Sequence, residues 1–578
     1  MENILGWRIS DFKSIESAEL DFGPLAIIAG ANSAGKSSIL QSLLMFAQTN
    51  YASQSIVLNG PLVRLGEPKD VVRSGCEKIN IDIDIKIDFN NRPSRLFDHE
   101  IEYVHATISL EPDREGAKLA VSYMKISDTD GRTLLEASSK HISTDDARTL
   151  KSQFFETASL LRITAVGAAT APSRSYIVLS GLTPIAISTH RSKRKIDESF
   201  NVILKQDDNK SMYEHMFGRS LARNVQQLMD SRTSAADKVS ENISFSEIES
   251  LANIETSLVT LRLMESRKRS ILAQSLSDGR NDKDFAVLRF DSLRIGEEDS
   301  SLWLSMRGDY VASSAVVEWF DTIKYLSSLA TCIRSISNRV QYLGPLREEP
   351  RVLNSTWDQR SASLPVGIRG ELSAEVLTLR RSDVIFYRDW NGEEYYEKFP
   401  LAVGKWAQYL GIGDSVSVLD EGKRGRGMNL LINGVSRDLT SIGVGASQLL
   451  PVLVACLGVK RGSLMIIEQP ELHLHPAVQS RLADFFLFAR PDIKILVETH
   501  SEYMVTRIRR RVAEQKVSST NSTFLFADYE DGVTSVRKLG MTEYGDFTEW
   551  PRGFFDEQDN ESRTIIRAVS ERLRAKKL

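Results

Sequence analysis

The stretch LAIIAGANSAGKSSILQSLLMFAQ, residues 25–48, decides the fold of this protein. It begins with the apolar run LAIIAG (25–30), which predicts a buried strand, and it ends with SILQSLLMFAQ (38–48), whose apolar residues recur at helical spacing. Between the two lies GANSAGKSS (30–38), which satisfies the phosphate-loop pattern G-x-x-x-x-G-K-S/T. A strand before the motif and a helix after it separate a genuine phosphate loop from a chance match.

The residues of this loop are the predicted nucleotide contacts. Backbone N–H groups around Gly35, at the N-terminus of the following helix, would cradle phosphate. Lys36 would reach the terminal phosphates, and the Ser37 hydroxyl would ligate Mg²⁺. The predicted nucleotide-binding residues of the loop are Asn32, Ser33, Ala34, Gly35, Lys36, Ser37 and Ser38.

A magnesium site beside a phosphate loop needs a distant carboxylate, and SLMIIEQPELHLHP (463–476) supplies one. Its apolar strand ends in Glu468, which can accept water ligands of Mg²⁺ and is the predicted metal partner of Ser37. The next residue, where such sites often keep a second carboxylate that activates water, is Gln469. An amide orients water but accepts no proton at neutral pH, so slow hydrolysis is predicted. Glu471, two positions on, is a candidate base.

Two further stretches end in polar residues that can reach phosphate. DIKILVETHS (492–501) is a second apolar strand, and His500 at its end can hydrogen-bond a γ-phosphate or the attacking water. TSIGVGASQLLPVLVACL (440–457) places Ser447 just before an apolar helix. Ser447 could contact phosphate at that helix N-terminus, or it could serve only as a helix N-cap. The residues alone leave both alternatives open.

Composition indicates a soluble cytoplasmic protein without a global basic field. The chain has 578 residues and a net charge of −4, so a contact with nucleic acid would need a local patch. Cys76, Cys332 and Cys456 are far apart, which fits a reducing cytosol and argues against a zinc site. His473 and His475, with no cysteine nearby, favour a structural role. No secretion signal is visible, and the longest apolar stretch is shorter than a membrane span.

Between the two ends of the chain the pattern changes twice. KINIDIDIKIDF (78–89) alternates isoleucine with polar residues, which predicts a strand with one wet face in an antiparallel lobe. Apolar residues then recur every three or four positions over 244–274, which predicts a helical arm. The predicted layout is an ATPase head over 1–75 and 335–540, an antiparallel β-lobe over 76–189, a helical insertion over 190–334 and a C-terminal tail or cap over 541–578.

Three short basic segments are candidates for contacts with a nucleic-acid backbone. They are HRSKRK (190–195), GKRGRG (422–427) and RIRRR (507–511), the last on a predicted helix. Such runs are more often solvated faces than DNA sites. Because backbone contacts need charge rather than sequence, DNA binding stays an open alternative.

In their order, the four motifs resemble an ABC-type ATPase head: phosphate loop, signature serine before a helix, acidic strand, then switch histidine. More narrowly, the chain is similar to the bacterial head-only ATPases related to the overcoming-lysogenization-defect and Septu families. The stretches that carry the resemblance are DFKSIESAELDFGPLAIIAGANSAGKSS (11–38), YLGPLREEP (342–350), GVGASQLLPVLVACL (443–457), EQPELHLHP (468–476), VETHSEYMVTRI (497–508) and GDFTEWPRGFFDE (545–557).

The resemblance implies a fold and a mechanism. The fold is an α/β P-loop ATPase head of the ABC type with an antiparallel β-lobe and a helical insertion. Two heads would close on two ATP molecules, so Ser447 would act across the interface of a homodimer or higher homo-oligomer. ATP and Mg²⁺ are the implied ligands, with Gln469 positioning water and His500 contacting the γ-phosphate. The implied role is an anti-phage switch that senses nucleic acid and controls a separate effector, such as a nuclease.

One departure from the overcoming-lysogenization-defect group concerns the nuclease. Relatives in that group carry a Toprim nuclease domain after the head, whereas FLFADYEDGVTSVRKL (524–539) predicts only a strand–turn–strand. No intrinsic nuclease is therefore expected. The competing hypotheses are a DNA-repair or chromosome-maintenance ATPase that acts directly on DNA, and the ATPase subunit of a membrane transporter. The large insertion between phosphate loop and signature counts against the transporter.

Overall fold

A computed structural model of the protein describes two compact units. The first, unit 1, combines Met1–Gln48, Leu58–Ile79 and Ser335–Leu578, and unit 2 combines Thr49–Val57 and Asn80–Arg334. The predicted domain boundaries stay predictions. The described residues are 4–49, 55–86, 103–140, 142–148, 159–166, 169–170, 174–190, 260–262, 285–289, 303–305, 326, 329–330, 332–334, 336, 338–349, 366–421, 425–551 and 557–575.

Strands occur in both units, and all eight helices named below belong to unit 1. In chain order the strands are β1 Ile4–Phe12, β2 Ile15–Asp21, β3 Leu25–Gly30, β4 Ile79–Lys86, β5 Tyr103–Pro112, β6 Leu119–Asp128, β7 Thr133–Ser138, β8 Ser159–Val166, β9 Ala169–Thr170, β10 Ser175–Ser180, β11 Thr183–His190, β12 Thr260–Arg262, β13 Phe285–Arg289, β14 Trp303–Ser305, β15 Val340–Leu343, β16 Val384–Arg388, β17 Glu394–Lys398, β18 Ser415–Asp420, β19 Arg426–Ile432, β20 Val435–Asp438, β21 Leu464–Glu468, β22 Lys494–Glu498, β23 Ser522–Glu530 and β24 Val533–Leu539. The helices are α1 Lys36–Gln48, α2 Pro68–Val71, α3 Ser373–Leu379, α4 Phe399–Leu410, α5 Val444–Gly458, α6 Pro476–Phe488, α7 Glu502–Ala513 and α8 Glu557–Ala575.

Unit 1 is built on a mixed sheet with the strand order β1-β2-β24-β23-β3-β22-β21-β15. From β23 to β15 all neighbours are parallel. β3, β21 and β22 are almost completely buried, as expected for parallel strands that are covered on both faces. Because the carboxyl ends of parallel strands meet at one edge, the loop after β3 lies beside the ends of β22 and β21. The predicted α/β fold is confirmed.

The core of unit 1 gathers apolar residues from this sheet and from the helices that cover it. Trp406 of α4 is fully buried and meets the ring of Phe485 of α6 edge to face, with ring centroids 5.1 Å apart. The predicted strand–turn–strand after α7 is confirmed as the β23–β24 hairpin. Asp531 and Gly532 both have positive φ, which is the requirement of a two-residue type I′ turn. Since β23 pairs with β3, this hairpin is part of the central sheet.

Unit 2 contains the antiparallel sheet that the alternating pattern predicts. Its strands pair in the order β5-β6-β7-β8-β10-β11-β13, each pair antiparallel. On β4, Ile79, Ile81, Ile83 and Ile85 are buried, while the polar residues between them are only partly covered. Those polar side chains bond to β5 in cross-strand pairs: Asn80 with Ser109, Asp82 with Thr107 and Asp84 with His105.

The predicted helical arm over 244–274 is wrong at its centre. Thr260–Arg262 is strand β12, which pairs antiparallel with β14. Helical spacing of apolar residues does not exclude a short strand whose pairing partner lies far along the chain. The rest of that window lies outside the described residues, as do Arg191–Lys195 of the first basic segment. Among the described residues, no helix has both the length and the apolar character that crossing a membrane requires.

Candidate nucleotide-binding site

The phosphate loop leaves β3 at Gly30 and enters α1 at Lys36. Gly35 has a φ of +89°, and a Cβ at this position would lie 2.4 Å from the Thr534 Oγ1 atom, so only glycine fits. Thr534 lies on β24, is completely buried and has its Oγ1 2.9 Å from the Ser14 hydroxyl oxygen. The C-terminal hairpin therefore packs directly against the phosphate loop.

The loop exposes some of its predicted contacts and buries others. Asn32 and Ser33 are exposed, Ser33 with a left-handed φ of 62°, whereas Ala34 is buried. The Lys36 ammonium is also buried, and it donates to the backbone oxygens of Gly30 at 3.1 Å and Ala31 at 2.6 Å. Burial lowers its pKa, and the nearby charge of Glu498 opposes that shift. To reach a phosphate, Lys36 would exchange these two carbonyl bonds for phosphate oxygens.

Ser37 meets a carboxylate, but not the predicted one. Its hydroxyl donates to Glu498, with oxygen–oxygen distances of 3.2 Å to Oε1 and 3.1 Å to Oε2. Glu498 ends β22, the strand between β3 and β21, and it is 3% exposed. Burial and the charge of Glu468 raise the pKa of Glu498 to about 7, against the lowering effects of Lys36 and Ser37.

Glu468, the predicted metal ligand, lies beside Glu498 on the neighbouring strand. The register pairs the two residues directly, so their side chains leave the same face of the sheet. Glu468 accepts a 2.8 Å hydrogen bond from the Tyr342 hydroxyl, and burial raises its pKa. Arg347 donates from Nη2 to the Glu468 backbone oxygen at 3.2 Å. Its Nε and Nη1 have no hydrogen-bond partner among the described residues.

In the turn after β21, Gln469 and Glu471 both contact the backbone around the end of β22. Gln469 has a left-handed φ of 44°, and its backbone N–H donates to the Glu498 carbonyl at 2.8 Å. Glu471 is buried, and its Oε1 accepts the His500 backbone N–H at 2.7 Å. Burial raises the pKa of Glu471. This contact ties Glu471 to the end of β22, and its role as a base stays a prediction.

His500 and Ser447 lie at the edges of this arrangement. His500 is exposed, and partial desolvation together with the charge of Lys36 lowers its pKa, which favours a neutral imidazole. The alternative that Ser447 is a helix N-cap is wrong, because Gly443 caps α5. The Ser447 side chain is buried, and its hydroxyl donates to the Val444 oxygen at 2.8 Å. Its predicted contact with phosphate stays a prediction.

The donor set at the sheet edge suits a magnesium ion. Ser37, Glu468 and Glu498 offer oxygen atoms, which Mg²⁺ prefers, and Mg²⁺ usually keeps waters and binds one or two carboxylates together with substrate phosphates. In the described part of the chain no group of three or more histidine, cysteine, aspartate or glutamate side chains could hold a metal by itself. The phosphates of a bound nucleotide would complete such a site.

His475, Arg426 of the second basic segment and the arginines of the third form structural contacts. His475 is the N-cap of α6, with its Nδ1 accepting from the Ala477 N–H at 3.2 Å, so the structural role predicted for it is confirmed. In the second basic segment, Arg426 pairs with Asp420 and Glu375. The arginines of RIRRR (507–511) are all engaged: Arg507 and Arg511 with Asp484, Arg509 with Asp546, and Arg510 with Glu514.

The sequence hypothesis missed Glu498, Tyr342 and Thr534 as members of this site. A signal existed only for Glu498, which ends an apolar strand in the same way as Glu468. Tyr342 and Thr534 lie far from the phosphate loop along the chain and reach it only through strand pairing. The fold and the site together define a P-loop ATPase.

Comparisons with protein-family models narrow this class. Residues 7–274 match the model described as "AAA ATPase domain". Residues 416–506 match "AAA domain, putative AbiEii toxin, Type IV TA system". Residues 517–565 match "Protein of unknown function (DUF3696)". Two separate stretches of the chain therefore match models of AAA-type ATPase domains.

Several solved structures of Smc heads are similar over most of the chain. The Smc head from Pyrococcus furiosus is 12% identical with a TM-score of 0.34, covering 93% of this chain and 96% of that one. The head from Pyrococcus yayanosii is 12% identical, with a TM-score of 0.32 and coverages of 94% and 97%. The head from Thermotoga maritima is 7% identical, with a TM-score of 0.31 and coverages of 93% and 98%. Likeness at this level carries no argument about function. No curated protein matches the chain.

Proposed function

We propose that this protein is an ATP-binding, slowly hydrolysing dimeric switch of the ABC-type head group, which controls a separate effector in anti-phage defence. One observation carries the ATPase part: the phosphate-loop Ser37 donates to a buried carboxylate at the edge of the parallel sheet, beside a second carboxylate at Glu468. Oxygen donors at that edge suit the Mg²⁺ that accompanies ATP.

The slow rate follows from Gln469. This amide stands directly after the acidic strand, where it can orient a water molecule but cannot accept a proton. Loss of a general base typically costs ~10²–10⁴-fold in rate, so the ATP-bound state is long-lived. A long-lived bound state suits a switch that waits for a trigger better than a continuously cycling motor.

The dimeric state rests on the N-terminus of α5. Gly443 and Val444 are exposed there, so a nucleotide held by a second copy could approach the helix end, where backbone N–H groups and the helix dipole favour phosphate. Ser447 lies one turn further on, and it would contribute its hydroxyl by turning away from the Val444 carbonyl.

The defence role and the separate effector rest on the resemblance to the overcoming-lysogenization-defect and Septu groups. The description of the model that matches residues 416–506 names the AbiEii toxin, which is in line with a defence role. We propose no intrinsic nuclease, because the β23–β24 hairpin takes up the stretch where a Toprim domain would begin. Direct action on DNA gains no support from residues 507–511, whose arginines are paired within unit 1.

Assembly is the first test. With a non-hydrolysable ATP analogue, light scattering should show nucleotide-dependent association of the parent. Val444→Arg and Ser447→Arg should abolish that association while ATP binding persists, because both block the N-terminus of α5. Val444 is 54% exposed, so its substitution avoids the folding problem that the buried Ser447 poses. Ser436→Arg, at an exposed position of β20, is the matched control. Unchanged assembly in both variants would contradict the dimeric switch.

Defence and nuclease activity need separate tests. A phage-infection assay should show protection by the native operon that is lost with Lys36→Ala.

The purified chain with ATP and either Mg²⁺ or Mn²⁺ should leave plasmid and phage DNA intact. DNA cleavage that persists after exchange of Glu530 and Asp531, and that tracks the protein through gel filtration, would reveal a nuclease site in this chain.

A further inference from the structure

The ends of β21 and β22 and the turn after β21 hold buried carboxyl groups whose charge has little compensation. Glu468, Glu471 and Glu498 are 8%, 7% and 3% exposed, and none of them forms an ion pair among the described residues. The two nearest cations do not neutralise them by direct contact. Lys36 donates to two backbone carbonyls, and Arg347 donates to a backbone oxygen.

The register of β21 and β22 makes the placement of their two terminal glutamates unfavourable in the absence of a bound cation. Glu468 and Glu498 are direct neighbours on parallel strands, which lie about 4.8 Å apart. Two buried like charges at this spacing repel each other, and burial strengthens the repulsion. A divalent cation would remove the repulsion.

We propose that Glu498, and not only the acidic-strand residue Glu468, is a carboxylate of the magnesium site, where it orients the Ser37 hydroxyl and holds the ion's water shell. The proposal rests on the proposed ATPase function and deepens it. The residue after Glu468 is the amide Gln469, so the chain has no second carboxylate at that position. In this proposal the second carboxylate of the site is Glu498, which comes from the adjacent strand.

Three observations support this assignment. Both oxygens of Glu498 accept from Ser37, which is the loop hydroxyl expected to ligate the ion. The Gln469 backbone N–H donates to the Glu498 carbonyl, so the turn after β21 is hydrogen-bonded to the end of β22. Beside the same edge, Arg347 is 7% exposed and has two nitrogen atoms without partners among the described residues, so it can donate to the phosphates that would share the ion.

The test measures metal affinity rather than turnover. Mn²⁺ is titrated into the full chain with a non-hydrolysable ATP analogue, and free Mn²⁺ is followed by electron paramagnetic resonance. Glu498→Gln, which keeps the size of the side chain and removes its charge, should weaken Mn²⁺ binding about 10–100-fold. Binding of the analogue in EDTA should not weaken, because no metal is bound under that condition. Glu530→Gln, the same substitution at an exposed strand end, is the matched control and should leave both affinities unchanged.

Two further variants separate this role from a structural one. Ser37→Ala combined with Glu498→Gln should be clearly non-additive in Mn²⁺ affinity, because the two residues act as one unit. In EDTA, Glu498→Gln should unfold at the parent's temperature or above it, because it removes one of two adjacent buried charges. Unchanged Mn²⁺ affinity in Glu498→Gln, together with a loss in Glu468→Gln, would overturn the proposal and leave the proposed ATPase intact. A parent that binds no nucleotide with or without metal would instead contradict the proposed function.

Discussion

Two buried acidic centres of unit 1 differ in how completely their charge is matched. Asp484 on α6 is fully buried, and it accepts hydrogen bonds from Arg511, Arg507 and the Tyr409 hydroxyl. Burial acts to raise its pKa, but these bonds outweigh burial, so the pKa lies below its ordinary value. At the edge formed by Glu468 and Glu498, burial and the neighbouring negative charge outweigh the effects of Lys36 and Ser37. The pKa of Glu498 therefore rises to about 7.

The difference separates a structural centre from a candidate reactive one. A buried charge that has all its partners holds the fold and offers nothing to a ligand. A buried charge without ion partners is costly, and strongly perturbed groups of this kind cluster at functional sites. The segment 507–511 has four arginines in five residues and looked like a surface for nucleic acid. Two of them pair with Asp484, which we call the matched centre, and the other two pair with acids nearby.

The edge formed by Glu468 and Glu498, whose carboxylates lack ion-pair partners among the described residues, is the unmatched edge. Adding a carboxylate there should have the largest effect. Gln469→Glu supplies a proton acceptor at the turn after β21, so basal ATP turnover should rise by ~10²–10⁴-fold. Phosphate release at saturating ATP is the measurement. Gln515→Glu is the control, since Gln515 also has a left-handed φ, of 57°, but lies in an exposed loop. If the parent already turns over rapidly and Gln469→Glu changes nothing, the base lies elsewhere and Glu471 becomes the first candidate.

Breaking the matched centre should affect stability and not nucleotide chemistry. Asp484→Ala leaves two arginines and a tyrosine without their acceptor, so the free energy of unfolding should fall by about 3–5 kcal/mol. Urea denaturation checks this value. Asp546→Ala removes the exposed partner of Arg509 and should cost less than about 1 kcal/mol. Equal losses in the two variants would show that Asp484 does not differ from a surface acid.

Lys36, a cation beside the unmatched edge, should contribute to the binding of ATP. Lys36→Ala removes a charge-assisted phosphate contact worth about 1.5–3 kcal/mol, so ATP should bind roughly 10–100-fold more weakly. Isothermal calorimetry with Mg²⁺ measures this change, and Lys460→Ala, at an exposed position, is the control. Equal ATP affinity in Lys36→Ala and the parent would contradict the phosphate-loop assignment.

The smallest effect concerns a half-buried cluster in unit 2. Hydrogen bonds that the imidazole of His105 donates to the carboxylates of Asp82 and Asp84 raise its pKa to about 9, from an ordinary value of 6.5. Since the folded state holds the proton more tightly, this stabilisation is complete below pH 6.5 and is lost as the pH rises through about 9. Partial exposure limits it to about 1 kcal/mol. Thermal melts of the parent should show this decline and melts of His105→Gln should not; the same slope in both would assign the decline to other groups.

The local sequence was sufficient to predict those strands, helices and turns whose residues form a recognisable pattern. The strand, loop and helix over 25–48 and the strands that end in Glu468 and Glu498 are where their patterns placed them. The β23–β24 hairpin was likewise readable from its Asp-Gly turn. Each of these signals lies within a few residues, because apolar runs and turn residues act on the neighbouring backbone.

What the sequence alone determined is therefore the phosphate loop, the acidic strand end and the amide at Gln469, all of which follow from residues adjacent in the chain. Only the tertiary structure decided which carboxylate meets Ser37, because that depends on β22 lying between β3 and β21. It also decided that Thr534 closes the space around Gly35 and that residues 507–511 are neutralised internally. Strand order and ion pairing join residues hundreds of positions apart, and no local pattern encodes which partner a charge will find.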